Sequence, residues 1–324
     1  MTPPARLTEL KGVHRVLVYG SLAYDRVMDY PGRFRDSLLP EKLHVISLSF
    51  AVPRITQNFG GTAGNIAYNL SLLGIKPQVL SSVGQDFGLY RTWLKRHGIR
   101  LDYVRQVQGA ATAAAYIMTD KDDNQISAFY AGALSSALRS IPAVALTNSL
   151  VLVSPGNQAD MAKLVSLCQK KHFPYVYDPG QAIPGLTRQE LLAGMRGAFA
   201  FIGNDYEITL IAHKLGVRET SLRPLKVPLF IRTLGSQGSE LWHNGKKIRV
   251  PAVKPRTVVD PTGAGDAYRA GLVTGLLRGW PLAKAGKFAA LVATYAVEQY
   301  GTQSHKFSWS ELKARYARVF RQQL

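Results

Sequence analysis

Cysteine is nearly missing from this chain: Cys168 is the only one in 324 residues. No internal disulfide can form, and a reducing, cytoplasmic setting is expected. The seven histidines are scattered without the spacing of a metal site, which argues against the common zinc modules. No apolar stretch reaches the roughly 18 residues that a spanning helix needs. No long apolar run marks the N-terminus as a secretory leader. Two phosphate-binding signatures are also missing. Without Gly-x-x-x-x-Gly-Lys-Ser/Thr there is no P-loop. Without Gly-x-Gly-x-x-Gly neither a protein kinase nor a standard dinucleotide binder is indicated. No segment is repetitive or of low complexity.

Acidic side chains are scarce. There are 21 Asp and Glu against 40 Lys and Arg, for a net charge of +19. Such a balance attracts polyanions. The basic residues are spread along the chain, with Arg315, Arg318 and Arg321 the nearest approach to a cluster. No nucleic-acid module accompanies them, so a generally phosphate-friendly surface is expected rather than specific nucleic-acid binding.

What is present reads as an α/β protein. Hydrophobic residues make up 46% of the chain, enough for a sizeable core. Short apolar runs at Val16–Tyr19, Val79–Val83, Leu150–Val153, Tyr175–Tyr177, Phe199–Ile202 and Leu229–Arg232 read as strands. Helical stretches fall between them near 62–73, 89–97, 159–170, 187–196 and 206–215. This alternation predicts a mostly parallel sheet covered on both faces. Ligands then bind beyond the carboxyl ends of the strands. Asn244-Gly245 predicts a hairpin. His44–Val52 is strand-like and lies in an irregular region. Ala111–Met118 and Gln125–Phe129 form a second hairpin pattern. A small β lid from about 26–58 and 111–130 is therefore expected on a single domain spanning 1–324.

The chain is organised around Val258-Val259-Asp260-Pro261-Thr262-Gly263-Ala264-Gly265-Asp266. A β-branched run meets a proline, two glycines permit a tight turn, and an Ala- and Leu-rich helix follows to Leu277. The amides of Gly263, Ala264, Gly265 and Asp266 would then converge at a helix N-terminus, a setting suited to an anion. A carboxylate there repels phosphate unless it acts on a reacting hydroxyl. Asp266, held ionised by the helix dipole, fits a base for phosphoryl transfer, where a weak base suffices. The same pattern also fits a structural turn with an ordinary first-turn acid.

Asp260-Pro261-Thr262-Gly263-Ala264-Gly265-Asp266-Ala267-Tyr268-Arg269-Ala270-Gly271 resembles the C-terminal signature of the PfkB (ribokinase-like) carbohydrate and nucleoside kinases. Gly60-Gly61-Thr62-Ala63-Gly64-Asn65 resembles the family's N-terminal glycine motif. Asn204-Asp205-Tyr206-Glu207 resembles its Asn-x-x-Glu motif. The three stand in the family's order, and the resemblance spans roughly 14–305. Tyr268 departs from the usual Phe.

The resemblance implies a ribokinase-like three-layer α/β/α fold and an ATP- and Mg²⁺-dependent phosphotransferase. Asp266 would be the base, with the amides of Gly263, Ala264 and Gly265 around the moving phosphoryl group. Asp25, Gly60, Gly61 and Asn65 would hold the acceptor, with Gln181 on the acceptor side. Asn204, Thr233, Gly235 and Gly238 would meet the nucleotide. Asn204 and Glu207 would hold magnesium through waters, and Asp260 is a candidate for K⁺. Local readings stand beside these roles: Asn204 and Glu207 as a helix cap, Thr233 to Gly238 as a plain turn, Asp25 as a turn residue, Asp178 and Gln181 as a strand-end turn. Ribokinase-type sugar kinases carry Lys just after the paired glycines, whereas Thr62 stands here. Tyr300-Gly301-Thr302-Gln303 resembles a tail near the adenine pocket of adenosine-kinase-like members. The expected acceptor is the 5′-hydroxyl of a ribonucleoside, adenosine first or a broader purine range. The alternatives are a ribose or fructose kinase, or a catalytically silent ligand- or polyanion-binding protein. A monomer or a homodimer through the lid is expected, with no membrane partner.

Overall fold

Two hydrophobic cores form, and side-chain alternation along the strands decides which residue joins which. The computed structural model describes residues 10, 12–38, 44–45, 47–122, 124–222 and 227–324. Residues 1–9 and 11 fall outside the described residues, as do 39–43, 46 and 123 of the expected lid.

In chain order the first elements are β1 (Arg15–Tyr19), β2 (Ala23–Asp29), α1 (Phe34–Ser37), β3 (Ile55–Gly60) and α2 (Thr62–Leu72). Next come β4 (Gln78–Val83), α3 (Gly88–Arg96), β5 (Arg100–Gln106), β6 (Ala113–Thr119), β7 (Gln125–Tyr130) and β8 (Ser149–Val153). Then follow α4 (Gln158–Lys171), β9 (Tyr175–Tyr177), α5 (Arg188–Met195), β10 (Ala200–Asn204) and α6 (Asp205–Leu215). The chain closes with β11 (Leu229–Thr233), β12 (Ser239–His243), β13 (Lys246–Val250), α7 (Ala264–Leu277), α8 (Leu282–Val297) and α9 (Trp309–Phe320).

The main sheet has nine strands in the order β13-β12-β11-β10-β9-β8-β1-β4-β5. Pairing is parallel from β11 to β5, and the hairpin β12–β13 adds an antiparallel edge. Val16, Val18, Leu150, Leu152, Ala200 and Ile202 face the core shared with α2, α7, α8 and α9. Their neighbours Leu17, Tyr19, Val151, Val153 and Phe201 face the core shared with α4, α5 and α6. Period-two alternation of apolar residues on both faces thus produces the expected three layers. At the 244–245 turn Asn244 and Gly245 both adopt positive φ, 49° and 75°, as a type I′ hairpin turn requires.

A second sheet of four strands, β3-β2-β6-β7, carries the segments expected to form a lid. It differs from the expectation in detail. No strand forms over the described residues between 44 and 52. Phe50 packs edge-on against Tyr30 and Phe34, while Val45 and Leu48 stay exposed. The strand of this segment starts later, at Ile55, after Pro53. β2, beginning at Ala23, and β5 of the main sheet were not anticipated. β5 is an edge strand whose polar residues give it little apolar signal.

No strand precedes the glycine turn at 263 either. Residues 251–263 run as a loop, with Val258 and Val259 exposed. Pro251, Pro255 and Pro261 each lack the N–H a ladder needs. The amides of Val259 and Asp260 instead share Val297 O at the end of α8 (2.9 and 3.2 Å). Among the described residues no helix is long and apolar enough to cross a membrane.

Candidate active site

The first turn of α7 is open. Its N-cap, Gly263, has φ 78° and contributes no side-chain cap. A Cβ there would meet the Thr302 side chain at 3.0 Å. Of the four amides expected to converge, that of Ala264 donates to Pro261 O (3.2 Å). Those of Gly265 and Asp266 have no acceptor among the described residues. Two free donors on a positive helix end suit an anion.

Asp266 stands beside them and accepts a hydrogen bond from Asn65 Nδ2 at 2.9 Å. Its protonation differs from the expectation. Burial pushes its carboxyl up to about 7, even though Arg269 and the Asn65 amide both favour the charged form. The helix dipole therefore does not hold it firmly ionised. A carboxyl near 7 is a stronger base than a surface Asp and suits proton abstraction.

Asn65 lies in α2, whose start depends on the paired glycines. Gly61 has φ 85°, and a Cβ would come within 2.6 Å of Ser21 O and 2.7 Å of Ala23 N. The turn at the helix start closes on the end of β1: Ala63 N–H donates to Ser21 O (3.0 Å) and Thr62 N–H to Ser21 Oγ (3.0 Å). Gly60 serves a different need. A Cβ there would sit 2.2 Å from Asp25 Oδ2, so the glycine leaves room for that carboxylate. Asp25 is raised to about 6 by burial and by the charge of Asp260. Gly60→Ala is expected to displace Asp25 while the backbone tolerates the change. Acceptor kcat/KM should fall about 10²-fold, as for a misplaced positioning group, with about 1–3 kcal/mol lost from stability for overpacking. Steady-state kinetics and urea unfolding check both.

The strand ends bring further predicted residues to the same edge. Asn204 and Glu207 form a complete capping box: Glu207 N–H donates to Asn204 Oδ1 (2.7 Å) and Asn204 N–H to Glu207 Oε2 (2.8 Å). The oxygen of Asn204 thus accepts one bond, while its NH₂ has no partner among the described residues and is a donor suited to phosphate. Glu207 Oε1 has no partner among the described residues, and burial raises the Glu207 carboxyl. Thr233 ends β11, and Gly235 begins an exposed turn with φ 55°. Gly238, φ 92°, is required because a Cβ would lie 2.1 Å from Val250 O. Asp260 clasps two segments, accepting from Thr262 N–H (2.9 Å) and Gly301 N–H (3.0 Å). Gln181 stands exposed on a short turn and makes no side-chain hydrogen bond among the described residues. Nothing ties it to the others. No group of three or more His, Cys, Asp or Glu is placed to hold a metal among the described residues.

Several neighbours had no role at this site in the sequence reading. Arg269, one turn after Asp266, grips Asp178 with two nitrogens (Nη2–Oδ1 2.6 Å, Nε–Oδ2 2.5 Å). Gln303 donates to Asn65 Oδ1 (3.1 Å), and Thr302 Oγ1 donates to Phe59 O (3.0 Å). The tail thus touches both glycine motifs. Asn58 shares a cross-strand position with Asp25 and lies against Gly301. Helical i, i+3 spacing could have flagged Arg269; Gln303 was visible only as part of the tail motif, and Asn58 carries no local signal. A cleft of about 560 Å³ beside β5, lined by Tyr103, Arg105 and Arg139 among others, contains none of these residues.

The model of the pfkB family of carbohydrate kinases matches residues 13–308. A nucleoside kinase of Methanothermobacter thermautotrophicus is 35% identical over 261 residues, 79% of this chain and 84% of that protein. One from Methanocaldococcus jannaschii is 31% identical over 280 residues, 85% and 91% of the two chains. The structure of the Burkholderia thailandensis nucleoside kinase in complex with inosine superposes with a TM-score of 0.81 at 33% identity, covering 95% of this chain and 99% of that one. The same enzyme in complex with ADP-inosine gives 0.79 at 34% identity, covering 95% and 97%. With the family model matching residues 13–308, most of its length, this chain belongs to the pfkB family of carbohydrate kinases.

Proposed function

We propose that the protein is an ATP-dependent kinase of ribonucleosides that phosphorylates the 5′-hydroxyl, with adenosine and inosine the first acceptors to try. The observation that carries the nucleoside reading is one cross-strand row on the second sheet. Asn58, Asp25, Ala115 and Phe129 occupy directly paired positions on β3, β2, β6 and β7. Paired positions point to the same face. The Asp25 carboxylate suits a vicinal diol, because it accepts two hydrogen bonds. Ala115 leaves a gap beside it, and Phe129, 58% exposed, stands two strands away, roughly 10 Å at the usual strand spacing. A ribose on Asp25 would place its planar base over that gap and against the Phe129 ring. A bare sugar leaves the ring uncovered. The B. thailandensis and M. thermautotrophicus relatives support the same reading.

In this mechanism Asp266 takes the proton from the acceptor hydroxyl as its oxygen attacks the γ-phosphorus of ATP; the bond to the β,γ-bridging oxygen breaks and ADP leaves. The Gly265 and Asp266 amides stabilise the charge on the group in transfer. Asn204 would donate to the nucleotide phosphates and Glu207 Oε1 would hold magnesium through a water, since Mg²⁺ sheds its hydration reluctantly. When bound, that ion neutralises phosphate charge. The second sheet would cover the acceptor and exclude water, limiting ATP hydrolysis.

ATP consumption against a panel of ribonucleosides and free sugars, with magnesium and potassium present, tests the proposal. Turnover with adenosine, inosine or guanosine is expected. Turnover with ribose or fructose alone would keep the chemistry and overturn the acceptor. Thermal stabilisation by a ligand without any turnover would overturn the enzymatic reading.

A further inference from the structure

Asn65 is the residue that meets Asp266, and its side chain has two ends of opposite character. An amide that turned its oxygen to Asp266 would set two acceptors face to face and favour a protonated carboxyl. Something must fix which end points inward.

Behind Asn65 runs a chain of hydrogen bonds with one direction. It starts at Trp93 on α3, whose indole N–H can only donate. Trp93 Nε1 donates to Gln303 Oε1 at 3.0 Å. That contact turns the Gln303 amide so that its Nε2 faces the other way. Gln303 Nε2 donates to Asn65 Oδ1 (3.1 Å) and to Tyr90 OH (2.6 Å). The Tyr90 hydroxyl passes its own hydrogen to Gly60 O (2.8 Å). With Oδ1 occupied, Asn65 has only its NH₂ to offer forward, and Nδ2 donates to Asp266 Oδ2 at 2.9 Å. Gln303 is 5% exposed, and no competing acceptor or donor breaks the order. The glycine at 64 makes room for the junction, since a Cβ there would lie 1.9 Å from Tyr90 OH.

We infer that Trp93 and Gln303 are positioning residues of the phosphotransfer reaction, which set the amide orientation of Asn65 and so keep a donor on the Asp266 carboxylate. The proposal rests on the reading of Asp266 as the base. The groups that face Asp266 are Arg269 from its own helix, Asp178 beyond β9, Asp25 on β2 and Tyr90 on α3. Trp93→Phe leaves all four in place, so a shift in the titration of Asp266 in that variant reports on the relay, whereas Gln303→Met also removes the donor to Tyr90.

Trp93→Phe removes the one donor-only group while keeping a ring against Phe59, Tyr68 and His97. Gln303→Met removes the middle link without adding charge. Without the relay nothing holds the Asn65 oxygen away from Asp266, so the amide is free to turn, the charged form of Asp266 loses its donor for part of the time, and the carboxyl becomes easier to protonate. Active enzyme is the carboxylate form, so the loss concentrates at low pH. The measurement is kcat against pH at saturating substrates, beside the thermal midpoint and Asp266→Asn as reference. The expected result is a kcat reduced about three- to tenfold at pH 6 and less than about twofold at pH 9. Profiles parallel to the unmodified enzyme, at any absolute loss or drop in midpoint, would overturn the positioning role alone. Retained turnover in Asp266→Asn would overturn the base assignment and the proposal with it. If Gln303→Met does not fold, Trp93→Phe carries the test.

Discussion

Asp266→Asn should lower kcat by about 10²- to 10⁴-fold, the usual contribution of a general base, while the protein still binds its nucleoside and melts near the same temperature. The asparagine keeps the shape and can still accept from Asn65 Nδ2, now 2.9 Å from Asp266 Oδ2. What it loses is the proton-accepting oxygen. The native enzyme should show the same group as a pH dependence. With the carboxyl raised to about 7 by burial, the inactive protonated form prevails below that value and the active carboxylate above it. In the free enzyme kcat/KM should therefore rise through about pH 7 and level off. The rise should vanish from the residual activity of Asp266→Asn. Calorimetric binding of adenosine to the variant, beside coupled measurement of ADP release, separates a lost base from a lost pocket.

Arg269→Met should be the most destabilising single change near the site. Arg269 and Asp178 have side-chain exposures of only 11% and 2%. Removing the arginine leaves a buried carboxylate without its counter-charge, which typically costs about 3–5 kcal/mol. The pair also ties α7 to the end of β9, so the loss should appear in global unfolding. Adding Asp178→Leu to Arg269→Met should recover most of the stability, because a buried pair replaced as a unit is often neutral. It should not recover activity. Arg269 is the strongest influence lowering the Asp266 carboxyl, and without its charge the acid limb of the rate profile should move upward. Urea unfolding of the single and double variants, with kcat/KM at several pH values, would separate the two effects. Unchanged stability in Arg269→Met would rule out the buried-charge argument.

Much of the architecture was legible because its causes are local. Apolar runs such as Leu150–Val153 and the helical spacing between them gave the alternating order, and that order implies a parallel sheet with its ligand edge. The site was legible where one residue type is needed by one backbone conformation, as at Gly61 and Gly263. Two expectations failed for reasons visible only in three dimensions. The β-branched run at Val258–Val259 reads as a strand, yet its flanking prolines and its bonds to the end of α8 keep it a loop. Asp266 reads as an ionised first-turn acid, but neighbouring segments bury it, and desolvation outweighs the dipole. Pairings made through distant partners left no trace in any window: neither Trp93 nor Asn58 has a local pattern that ties it to Gln303 or to Asp25.

The bond between Gln303 and Asn65 joins residues 238 positions apart, and that between Asn65 and Asp266 spans 201. During synthesis the N-terminal glycine motif therefore leaves the ribosome long before its partners exist. The nascent chain can build α2 and the second sheet early, but the bond that orients Asn65 closes only after residue 303 has been made. A chain stopped short of the 300–303 tail would carry every signature motif and still lack the segment that joins them. The contacts that turn Asn65 toward Asp266 are thus late events of the chain's biogenesis, since the loops they close are among its long ones.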